Sequence, residues 1–118
     1  MDPSEQDARQ QANDLSAALD RLWIRFLPEI DQRVAILESA AAAASGGLLT
    51  PQQQEAARAA AHKLAGVLGT FGLAGGTAPA RRTEDIYGSG TAPNSQKAEL
   101  LVVYAAELRA LLETRRQS

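Results

Sequence analysis

Thr50–Gly72 reads TPQQQEAARAAAHKLAGVLGTFG, and this stretch decides the fold. Thr50 is suited to an N-cap, Pro51 to the first helical position, and Gln53 to the reciprocal half of a capping box. Ala57, Ala60, Ala61, Leu64, Leu68 and Phe71 then recur on one stripe of a helix, which the glycine at position 72 should end. The expected helix therefore runs from about 50 to 71 and buries one alanine-and-leucine face against neighbours.

Working outward, Leu15, Leu19, Leu22, Trp23 and Phe26 recur at helical spacing, and Ser4 followed by Asp7 resembles a weak capping box. A first helix is expected from about 4 to 26. Pro28 lacks an amide hydrogen and is expected to break this helix from a second one at about 28–45, which carries Ile30, Val34, Leu37 and Ala41 and ends at Ser45-Gly46-Gly47. Beyond the central helix, Thr77 as a cap and Pro79 in a first turn predict a short, weakly specified helix over 77–87. Gly88 to Pro93 reads as a loop, and Leu100, Leu101, Tyr104, Leu108, Leu111 and Leu112 mark a last helix at about 94–115. No strand pattern appears. The expected fold is all-α, an antiparallel up-down bundle of four helices over 28–115 with an additional N-terminal helix over 1–27, all within one domain.

Composition narrows the chemistry. Of 118 residues 24 are alanine, none is cysteine and one is histidine, so thiolate chemistry and any site needing two imidazoles are excluded. A net charge of −2 is too balanced for a nucleic-acid-binding surface. No stretch reaches the roughly 18 apolar residues of a membrane span and the N-terminus lacks signal-peptide features, so neither nucleic acid nor membrane is an expected partner and a cytoplasmic location is the default. Gly75-Gly76 and Gly88-Ser89-Gly90 lack the lysine and strand context of a phosphate-binding loop and read as turns.

The one histidine, His62, falls roughly 160° from Leu64 around the central helix and should point outward. Ala59, Gly66 and Gly69 share its side, Ala65 lies at the margin, and Arg58 and Lys63 flank it. A glycine inside a helix costs about 1 kcal/mol relative to alanine. Two glycines in an alanine-rich helix therefore indicate a flat clearing from which an imidazole could be presented to another protein. A neutral imidazole is nucleophilic without elaborate activation, and Arg58 and Lys63 are the side-chain cations available to offset the charge of a transferred phosphoryl group. No carboxylate is visibly ordered beside His62 in the sequence, which argues against an acid-base enzyme, with Glu84 and Asp85 left open as partners.

Ala61-His62-Lys63-Leu64-Ala65-Gly66-Val67-Leu68-Gly69-Thr70-Phe71-Gly72-Leu73 resembles the signature of histidine-containing phosphotransfer domains. In that signature the phosphorylated His is followed by an aliphatic residue at the second position and Gly at the fourth, here Leu64 and Gly66. An apolar residue then Gly come near the ninth and tenth, here Phe71 and Gly72. The likeness continues through Gly76–Glu84, where the family has a helix ending near an acidic residue, and it covers roughly 28–115. Two departures stand out: Ala65 occupies the third position after the histidine, where Lys or Arg is common, and Pro79 and Thr83 replace usual aliphatic residues, which should shorten or weaken that helix.

The resemblance implies a phosphocarrier in a multistep phosphorelay, with His62 exchanging a phosphoryl group with an aspartate of a response-regulator receiver domain, or serving a hybrid histidine kinase. It implies no enzyme activity and no cofactor in this chain, because the receiver and its Mg²⁺ supply the catalysis. Lys63 and Arg58 would stabilise the phosphoryl group, and Ala59, Ala65, Gly66 and Gly69 would meet the partner. A monomer is expected. The rival reading is a helical adaptor or dimerisation module working through Leu15, Leu19, Leu22, Trp23 and Phe26.

Overall fold

The computed structural model describes residues 2–117. Four α-helices carry nearly all of it: α1 (Pro3–Ser45), α2 (Pro51–Thr70), α3 (Thr77–Tyr87) and α4 (Ser95–Gln117), with one 3₁₀ turn at Ala74–Gly76. No strand occurs among the described residues, so the all-α expectation holds.

The expected break at Pro28 is not there: the two N-terminal helices are one continuous helix of 43 residues. Pro28 removes the hydrogen bond to the carbonyl of Ile24, but both residues are exposed, so water can satisfy that carbonyl. Meanwhile Trp23, Ile30, Val34, Leu37 and Ala41 form one buried stripe that passes the proline without a change of phase. Tertiary burial across the whole stripe outweighs a local cost of about 3 kcal/mol. The bundle thus has four helices, and the additional N-terminal helix is the first half of α1, with residues 2–17 fully exposed.

Helix ends follow local chemistry. Thr50 Oγ1 accepts from the Gln53 amide at 3.1 Å while Gln53 Oε1 accepts from the Thr50 amide at 3.0 Å, the expected capping box. At the other end of α2, Gly72 takes φ 73° and lets the Leu73 amide donate to Leu68 O at 2.8 Å. Two caps differ from expectation. Asp2, not Ser4, caps α1 by accepting from the Ser4 amide, and Gly76 precedes α3 with Thr77 already helical. The helix over 77–87 forms at its full predicted length. Pro79 sits in its first turn, where no amide partner is lost, and the buried Thr83 hydroxyl donates to Pro79 O at 2.8 Å, satisfying a polar group in an aliphatic position.

α4 runs back along α1. Arg109 donates to Asp31 and Glu38, and Arg115 to Asp20, so rising numbers on α4 meet falling numbers on α1. The core consists of Ile30, Val34, Leu37, Leu64, Leu101 and Leu108 with alanines between them. Trp23 closes its lower end edge-on to Phe71, ring centroids 5.3 Å apart, with the Arg115 guanidinium over its face. Among the described residues no helix is long and apolar enough to cross a membrane.

Candidate functional site

α2 and α3 form an antiparallel hairpin whose register has a simple rule: residues equidistant from Leu73 face each other. Arg58 lies beside Gly88, and Gly69 beside Thr77, each pair symmetric about position 73. By the same rule His62 faces Glu84 and Ala65 faces Arg81. His62 Nδ1 lies 2.8 Å from Glu84 Oε2 and 3.2 Å from Oε1, and Ala65 and Arg81 line one hollow of about 500 Å³ together with His62, Gly66, Glu84 and Asp85.

The imidazole is presented outward as its helical phase predicts: the His62 side chain is 71% exposed and that of Glu84 28%. An ionised carboxylate only accepts hydrogen bonds, so Nδ1 carries the proton it donates to Glu84. The neutral ring then has its lone pair on Nε2, on the edge away from Glu84. This carboxylate fixes both the tautomer and the ring plane.

The other residues expected at the site fall into distinct environments. Gly66 is exposed, and a Cβ added there would meet nothing within 4 Å. At Gly69 the same atom would reach only Thr77 Oγ1, at 4.0 Å. Neither glycine is required for packing within the chain, so the clearing is real. Ala59 is half-buried beside it, and Ala65 is buried at 8% exposure against the hollow. Arg58 is committed elsewhere: its Nε and Nη2 donate to Glu55 at 2.9 and 2.6 Å, and that pairing raises the Arg58 pKa and lowers that of Glu55. Lys63 is exposed and lies about 100° around the helix from His62, on the side away from α3.

Glu84 and Arg81 are the residues that sequence reasoning did not place. The sequence offers Glu84 as one of two carboxylates, and nothing in it alone gives Arg81 a part. The usable signal was the glycine turn centred on Leu73, which fixes what each residue of α2 meets on α3. Among the described residues no group of three or more His, Cys, Asp or Glu side chains is arranged to hold a metal ion.

Comparison with curated proteins and with solved structures returns no match. A family model described as Hpt domain matches residues 5–118, essentially the whole chain. With a helical bundle, an outward histidine and a glycine clearing beside it, the chain belongs to the Hpt family of histidine-containing phosphotransfer domains, with a phosphotransfer role in a phosphorelay.

Proposed function

We propose that His62 is the phosphoacceptor, exchanging a phosphoryl group with the aspartate of a response-regulator receiver domain. The observation that carries this reading is the 2.8 Å Nδ1–Glu84 contact on an imidazole that is 71% exposed, since a neutral ring donating from Nδ1 to a carboxylate has its lone pair on Nε2. Nε2 donates its lone pair to phosphorus, the P–O bond to the aspartyl carboxylate breaks, and the electron pair leaves with that carboxylate. The ring keeps its Nδ1 proton, and Glu84 offsets the positive charge that the ring acquires. The reverse sequence returns the group to a receiver.

The partner, a receiver or the receiver of a hybrid kinase, docks over Ala59, Gly66 and Gly69 with Ala65 beneath the reacting edge, and Lys63 and Arg58 supply charge at the periphery. Its Mg²⁺ and acidic pocket supply the catalysis, so this chain works in the cytoplasm as a monomeric carrier with no cofactor of its own. The test is incubation with a purified receiver carrying radiolabelled aspartyl phosphate. Acid-labile label should appear on the wild type and not on His62→Gln; equal labelling of both, or labelling of neither, sinks the reading.

A second reading, a helical adaptor working through the first half of α1, is favoured by the exposure of Leu15, Leu22 and Phe26. It predicts partner binding that is indifferent to His62→Gln and lost on removing residues 1–26.

A further inference from the structure

The hollow beside His62 is lined by two carboxylates, Glu84 and Asp85, and one cation, Arg81. The family pattern places a basic residue three positions after the histidine, but here that position is Ala65, whose side chain ends at Cβ. The two cations that flank the histidine in sequence are poorly placed. Arg58 is held by both oxygens of Glu55, and Lys63 leaves α2 on the side away from α3.

Arg81 differs on each count. It lies eight residues after Leu73 as Ala65 lies eight before, so the hairpin register sets it directly across from the vacant basic position. It is exposed, lines the hollow with His62, and makes no ion pair within 4 Å among the described residues. Its guanidinium is charged at every working pH and presents a planar fork of donors matched to phosphate oxygens.

We infer that Arg81 is the phosphoryl-binding residue of this domain, the basic group having moved from α2 to the facing position on α3. Ala65 is then the complement of Arg81: a small residue there leaves the hollow open for the guanidinium to reach the phosphoryl oxygens. With two carboxylates lining the hollow beside His62, a dianionic group on that ring is disfavoured without a nearby cation.

The inference rests on His62 being the phosphoacceptor, and the test separates the two. Phosphoramidate, a small donor that needs no receiver, transfers its phosphoryl group to an imidazole nitrogen as its P–N bond breaks and ammonia leaves. The rate of His62 phosphorylation by phosphoramidate is followed by ³¹P NMR on the full chain. Arg81→Gln should slow it about tenfold, Arg81→Lys should retain most of it, and adding Ala65→Lys to Arg81→Gln should recover rate by restoring a cation from the α2 side. A merely structural role for Arg81 would not give rescue from the opposite helix. Unchanged phosphorylation of Arg81→Gln overturns the inference and leaves the His62 reading standing. A wild type whose phosphorylation is unaffected by His62→Gln overturns both.

Discussion

Glu84 Oε2 sits 2.8 Å from Nδ1 of His62, one residue on α3 holding the ring that α2 presents. The pair crosses 22 positions of sequence, and its consequence is a single defined tautomer with Nε2 free. Glu84→Ala should leave the fold intact, because its side chain is not part of the core, yet lower phosphoryl transfer to His62 by about 10–100-fold. ¹⁵N NMR of the imidazole checks the cause directly: the wild type should show protonated Nδ1 and unprotonated Nε2, and the variant a tautomer mixture.

The glycines of the chain separate into two kinds, and substitution should tell them apart. At Gly66 a Cβ meets open space, so Gly66→Ala should raise stability by about 0.5–1 kcal/mol through helix propensity alone. Gly66→Leu should fold and should reduce transfer from a receiver far more than phosphorylation by a small donor. Thermal melts and the two transfer assays together check this.

Gly76 behaves in the opposite way. A Cβ there would lie 2.6 Å from Leu68 Cδ1 and 2.7 Å from Leu111 Cδ2, against side chains packed where the 3₁₀ turn meets α2 and α4. Gly76→Ala should therefore destabilise by about 1–3 kcal/mol, as overpacking does, measured by urea denaturation. Because the turn also sets the α2–α3 register, the same substitution should slow transfer to His62 although it touches no site residue.

Tyr87 has a buried hydroxyl with no hydrogen-bond partner among the described residues, and burial raises its pKa to about 12. In the unfolded chain a tyrosine ionises near pH 10. Between these values the unfolded state loses a proton that the folded state keeps, so this residue's contribution is fully present below pH 10 and is lost as pH rises towards about 12. Tyr87→Phe should be neutral or stabilising by up to about 1 kcal/mol at pH 7 and should flatten the alkaline fall. Denaturant unfolding across pH 8–12 measures both; a variant with the same alkaline slope as the wild type counts against it.

Four of the helix boundaries could be read from the sequence nearly to the residue, because their signals are local: Thr50-Pro51 with Gln53, Gly46-Gly47, Gly72 and the loop before Ser95. The outward phase of His62 was equally legible, since it needs only the position of Leu64 and the helical repeat. Pro28 misleads, because the local cost of proline in a helix is outweighed by a buried stripe continuous from Trp23 to Ala41. The Glu84 and Arg81 placements were hidden for a different reason. Each is a relation between two helices, and no periodicity within either one encodes it; only the position of the turn does.

That turn gives the domain a property of inheritance. The outward histidine, the carboxylate paired with it and the arginine across from it all lie within residues 62–84, on two helices joined by one tight link. Such a segment makes its contacts at short sequence separation and so can organise early in folding, before α1 and α4 close over its apolar face. Conversely, inserting one residue between Phe71 and Gly76 would change the link that sets which residue of α3 faces His62, and with it the His62–Glu84 pairing. The link is therefore a part of this domain where length is constrained as well as residue identity at Gly72 and Gly76.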